Sequence, residues 1–192
     1  MGNLLWIFVA SMLVNNFTLV LFLGLCSFLG VTHNIGTALR LGLANLFVLV
    51  VTAASVTVLN KYILGATPFL RIIAFIVVIA SLVQIVEMAV KKLSPSLFRT
   101  LGIYLPLITT NCAILALAIF QTNRQYNFIE AQVFALGAGA GLILALTLMA
   151  SIREKLQFAT VPNIAKGAAI IFIVAGGLSL AFMGFAGLLS GG

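Results

Sequence analysis

Cys26 and Cys112 are the only thiols in 192 residues. Each lies within a long apolar run, Phe22-Leu23-Gly24-Leu25-Cys26-Ser27-Phe28-Leu29-Gly30 for the first and Leu105-Pro106-Leu107-Ile108-Thr109-Thr110-Asn111-Cys112-Ala113-Ile114-Leu115 for the second. A thiolate is a soft ligand suited to iron–sulfur chemistry, and small or polar neighbours let backbone approach it closely. Two thiolates are half of what an iron–sulfur cluster takes, so a chain using them this way contributes half a metal site and a partner supplies the rest. Two other readings stand beside that one. Cysteine is often only a small buried hydrophobe, and the pair offers a disulfide, though without the pattern of a secreted disulfide framework.

The composition says in what solvent those thiols sit. Hydrophobic residues make up 63% of the chain and charged residues 7%, with a mean hydropathy of +1.28. Soluble domains carry about 25% charged residues, so the chain reads as an integral membrane protein with a single membrane domain, residues 1–192. Met1 to Leu13 lacks a basic n-region and a small-residue cleavage site, so no cleavable signal is expected. The formal net charge of +7 comes from basic residues scattered over loop ends. That arrangement suits a lipid bilayer with anionic headgroups and argues against nucleic acid as a partner.

Hydropathy predicts six spans, at 4–31, 38–59, 69–90, 101–120, 128–152 and 167–189. The first would reach about 42 Å as one straight helix, against roughly 30 Å of hydrocarbon. It must tilt or break, and Asn15-Asn16 and Gly24 are the residues that tolerate non-helical backbone. Gly137, Gly139 and Gly141 form a ladder that permits close helix approach in lipid. Arg40, Lys91, Lys92, Arg99, Arg153, Lys155 and Lys166 fall on one side, against Lys61, Arg71 and Arg124 on the other. The bias predicts that the richer side is cytoplasmic and that both termini lie on the outer, periplasmic side.

The cysteines stand 86 positions apart, and a shift of that size lays spans four to six over spans one to three. Each half then holds an odd number of spans and must cross in the opposite sense. That is an inverted repeat with halves of about 1–95 and 96–192. Its two-fold axis would bring Cys26 and Cys112 together near the bilayer centre. A straight first helix would instead carry Cys26 to one face. The expectation is therefore an all-α membrane fold of six transmembrane helices as an inverted 3+3 repeat. Residues Asn3 to Val14 form a separate piece, and the first and fourth helices are broken near the cysteines, at points buried in protein.

Leu13-Val14-Asn15-Asn16-Phe17, Phe22-Leu23-Gly24-Leu25-Cys26, Leu101-Gly102-Ile103-Tyr104-Leu105-Pro106-Leu107-Ile108-Thr109-Thr110-Asn111-Cys112, Ser151-Ile152-Arg153-Glu154-Lys155 and Leu180-Ala181-Phe182-Met183-Gly184-Phe185 carry a resemblance. It is to the family of membrane subunits shared by the Rnf electron-transport complex and the sodium-pumping NADH:quinone reductase. The Asn15-Asn16 pair is similar to the A-type branch of the Rnf members, and the resemblance covers essentially the whole chain. It implies that Cys26 and Cys112 ligate a 2Fe–2S cluster, with two further cysteines from a homologous Rnf E-like subunit in the opposite orientation. It implies a subunit, without an active site of its own, of a redox-driven translocase that couples NADH:ferredoxin oxidoreduction to sodium or proton movement. The remaining subunits would be the flavin-bearing D and G, the iron–sulfur B and the nicotinamide-oxidising C, and the location the bacterial inner membrane. Thr109, Thr110, Asn111, Ser27 and freed amide groups would be the donors to cluster sulfur.

Other residues read more plainly. His33, the single histidine, lies in a turn where solvation is the simple account. Glu87 is placed either to pair with Lys91 four residues on or to gate a cation path, Glu154 belongs to an interfacial charge cluster that offers a docking point, and Asn15 and Asn16 either cap a helix break or take a role around the cluster. No Walker loop, dinucleotide fingerprint or nucleophile triad is present. Two rival functions remain: a small secondary transporter, since inverted repeats with broken helices also build those, and a scaffold that holds redox subunits without carrying electrons.

Overall fold

The computed structural model describes residues 2–62, 71–93, 107–108, 110–158 and 168–189; the expected start of the fourth span, at 101–106, lies outside them, as do Arg99, Thr109 and Lys166. Regular structure among the described residues is entirely helical. In order these are α1 (Gly2–Val9), a π-helical turn (Ala10–Val14), α2 (Leu25–Val31), α3 (Ile35–Tyr62), α4 (Arg71–Leu93), α5 (Cys112–Asn123), α6 (Phe128–Gln157) and α7 (Ala168–Leu189).

Helices α3 and α6 form the spine. Residues Ile35–Lys61 and Phe128–Leu156 are each long and apolar enough to cross a bilayer. Shorter apolar helical stretches run over Leu4–Val14, Ile72–Met88, Cys112–Asn123 and Ala169–Phe185. The spine helices are antiparallel and very close. A Cβ added at Gly42 would lie 2.8 Å from Ile143 Cγ1, and one at Gly139 would lie 2.9 Å from Leu46 Cγ. The neighbouring ladder positions turn the other way, because 100° per residue swings i±2 to the far side of a helix. Cβ atoms at Gly137 and Gly141 would meet Ser11 Oγ and the carbonyls of Phe8 and Met12 at the end of α1 and in the π turn. One glycine run thus seats two different neighbours, backbone against backbone, which is how helices associate where lipid removes the hydrophobic drive.

The core divides along the spine. Phe17, Leu41, Leu49, Phe75, Ile114, Leu117 and Phe134 belong to one buried cluster, and Leu19, Phe28, Leu142, Leu146 and Met149 to a second. Phe17 stacks on Phe120 at 5.6 Å and meets the edge of Phe134 at 5.9 Å. Outward faces are apolar too: Ile72, Ile73, Ile76, Val77 and Ile85 on α4 and Phe172, Ile173 and Leu180 on α7 are exposed. That is the surface expected of a protein solvated by lipid or by other membrane subunits.

Candidate functional site

Cys26 is the second residue of α2, and what precedes α2 is a stretch without regular helix. The π turn closes with Asn15 N–H donating to Ala10 O at 2.8 Å, and regular helix resumes only at Leu25. Phe22 (φ +54°) and Gly24 (φ +81°) take left-handed backbone in between, which glycine adopts at no steric cost and phenylalanine does not. Asn16, 1% exposed, organises this stretch. Its Nδ2 donates to Met12 O (3.2 Å) and Gly141 O (3.0 Å), and its Oδ1 accepts from the N–H groups of Thr18 (3.1 Å) and Leu19 (3.3 Å). Amide groups freed by leaving the helix are thereby satisfied, as they must be away from water. Of the Asn15-Asn16 pair, Asn15 ends the π turn as its C-cap and Asn16 supplies the side-chain bonds that follow.

Cys112 has a different seat. It opens α5, and Asn111 caps that helix by accepting from Ala113 N–H at 3.1 Å. Asn111 Nδ2 in turn donates to Asn45 Oδ1 at 3.3 Å, an exchange between two buried amides that ties α5 to α3. Asn45 Nδ2 finds no partner among the described residues.

The two seats meet. Gly24 N–H, two residues before Cys26, donates to Cys112 Sγ at 2.8 Å. Both thiols are free and exposed, with Leu21 and Phe22 exposed beside them at 42% and 43%. Among the described residues no three His, Cys, Asp or Glu side chains gather as a metal site. The chain therefore presents two touching cysteine segments on an apolar surface, each with an open thiol, rather than a closed set of four ligands. Thiolate sulfur, surface access for further ligands and a backbone N–H already aimed at sulfur suit the donor set of an iron–sulfur cluster.

Several residues take other places than the sequence suggested. Ser27 is fully buried and its hydroxyl donates to Leu107 O at 3.3 Å. Asn111 spends its side chain on Ala113 and Asn45. Neither gives its side chain to sulfur in these bonds; the donor is the Gly24 amide, a backbone N–H at one of the residues expected to leave the helix. His33 is exposed but not merely solvated, for Arg153 Nη2 lies 3.1 and 3.2 Å from its two ring nitrogens. Arg153 Nη1 donates to Leu29 O (3.2 Å) and Thr32 Oγ1 (2.7 Å). Glu87, half-buried on α4, and Glu154, exposed near the end of α6, take no part in the hydrogen bonds around the cysteines.

Helices alone among the described residues, two of them long and apolar enough to cross a bilayer, make this a chain of the membrane class. The family model described as "Rnf-Nqr subunit, membrane protein" matches residues 4–189, and the chain belongs to that family. Within it the chain is similar to proteins named as the A-type subunit of the ion-translocating oxidoreductase complex. It is 52% identical to that of Syntrophotalea carbinolica, covering 100% of both chains. It is 49% identical to that of Serratia proteamaculans and 52% identical to that of Pseudomonas paraeruginosa, each over 98% of this chain and 99% of the relative.

Proposed function

We propose that this chain is the A-type membrane subunit of an ion-translocating Rnf oxidoreductase, and that Cys26 and Cys112 are its two ligands to a 2Fe–2S cluster shared with a homologous E-like subunit. The observation that carries the reading is the hydrogen bond from Gly24 N–H to Cys112 Sγ, which puts the two cysteine segments in contact on an exposed face. When bound, such a cluster supplies one-electron exchange part-way through the membrane, dividing one long tunnelling distance into two shorter ones. The chain's own residues do the rest. Cys26 and Cys112 hold iron, and the Gly24 amide offsets negative charge on sulfur that would otherwise be costly in lipid. Asn16 and Asn111 fix the two backbone stretches from which the thiols project.

The finer arrangement follows from the same reading. Among the described residues the element order α2–α3–α4 is followed by α5–α6–α7, with a cysteine in the first turn of α2 and of α5, which supports an inverted 3+3 repeat of six spans and a partner in the opposite orientation. The basic residues favour cytoplasmic loops one, three and five in a bacterial inner membrane, with both termini outside. The D, G, B and C subunits complete the assembly between ferredoxin, flavin and nicotinamide.

The test is Cys26→Ser and Cys112→Ser, separately, in the purified complex, read by electron paramagnetic resonance and by iron and sulfide content. Each variant is expected to lose one 2Fe–2S signal while the complex still assembles. A complex that keeps the full signal in both variants overturns the reading in favour of a scaffold, and solute uptake by the chain alone in vesicles overturns it in favour of a transporter.

A further inference from the structure

We infer that Arg153 is a positioning residue for Cys26: by clamping the far end of α2 it sets where that thiol stands and biases the redox equilibrium of the group bound there. The inference rests on the cluster reading above. Helix α2 has seven residues, too few to be stable alone, since isolated helices under about 12 residues are marginal. Its last carbonyls have no partner within the helix, and Arg153 supplies one from α6. Nη1 bridges Leu29 O and Thr32 Oγ1, while Nη2 lies against the His33 ring. A cation at a helix C-terminus also answers the partial negative charge there.

The clamp connects to the thiols step by step. Thr32 Oγ1, which accepts from Arg153, donates to Phe28 O at 2.8 Å. Phe28 N–H donates to Gly24 O at 3.0 Å, and Gly24 N–H donates to Cys112 Sγ at 2.8 Å. A displacement of the guanidinium is therefore passed along α2 to both sulfurs. The charge acts directly as well. Cys26 precedes Thr32 by six residues, about 9 Å of helix rise. A positive charge at that distance favours the reduced, more negative state, by roughly three- to tenfold in the reduction equilibrium after screening by water at the membrane face.

The experiment titrates the cluster potential in the intact complex by paramagnetic resonance for wild type, Arg153→Lys and Arg153→Gln. The expected order is wild type close to Arg153→Lys, within about twofold, and Arg153→Gln lower by roughly three- to tenfold in that equilibrium, at unchanged cluster content. An Arg153→Gln complex with full cluster content and the wild-type potential overturns the inference and leaves the cluster reading standing. A wild-type complex without any such signal overturns both. If Arg153→Gln fails to assemble, Arg153→Lys and Thr32→Val loosen the clamp at constant charge. Both are then expected to broaden the cluster's resonance lines, and wild-type spectra in both overturn the inference.

Discussion

The two cysteines of this chain are held in unlike ways. Cys112 stands at the capped start of a twelve-residue helix, with Asn111 accepting the amide of Ala113 and reaching Asn45 on a neighbouring span. Cys26 rides a seven-residue helix, entered through left-handed backbone at Phe22 and Gly24 and fastened at its far end by an arginine from α6. The first is a seat built into a helix terminus; the second is an arm held by ties from distant parts of the chain. If the proposed cluster is shared, one sulfur would be placed by a local helix cap and the other by ties from distant parts of the chain.

Four substitutions break or sharpen the contrast. Asn16→Leu should have the largest effect, about 3 kcal/mol, because it strips the Thr18 and Leu19 amides of their acceptor and cuts the tie to Gly141 in a buried place. The loss should appear in thermal unfolding of the purified complex and, if the arm is the weaker seat, as reduced iron content. Gly24→Ala comes next, at about 2 kcal/mol: a side chain at φ +81° is strained, and its Cβ would lie 3.1 Å from Asn111 Oδ1. This change presses on both seats at once, so the Cys112 environment should change too, visible as a shifted cluster spectrum. Asn111→Ala removes the cap of α5 and leaves buried Asn45 Oδ1 without its donor, and should likewise cost about 2 kcal/mol, with iron retained because the helix itself persists. Gln125→Gly, which relieves a left-handed residue (φ +52°) in the α5–α6 turn away from both sulfurs, should stay within about 0.5 kcal/mol of wild type and leave the spectrum unchanged. A spectral change there as large as that of Gly24→Ala would erase the distinction between seat and arm.

Much of this was written in residue types. Two cysteines in apolar runs, each beside small or polar residues, mark the sulfur pair, and Asn16 and Gly24 announce irregular backbone because few other residues tolerate it. The glycine ladder announces close helix approach. What it does not say is which helices approach, since that depends on a 100° turn between neighbours and on partners far along the chain; here Gly139 takes α3 while Gly137 and Gly141 take the N-terminal segment. Arg153 was hidden for a similar reason. Between Ile152 and Glu154 it reads as one more basic residue at a span end, and its partners lie 120 or more positions away. Asn45, an amide midway along an apolar helix, carries no local pattern that names Asn111 as its partner. Polar groups that satisfy one another across spans leave no periodic trace, whereas apolar faces do.

The bond from Asn16 to Gly141 joins positions 125 residues apart. At roughly 5–20 residues per second of synthesis, the N-terminal segment waits on the order of ten seconds before the surface it locks onto exists. Until then the Asn16 side-chain amide lacks the partner it takes on Gly141, although its bonds to Met12, Thr18 and Leu19 are local. The part of the polypeptide made first is thus among the last to settle.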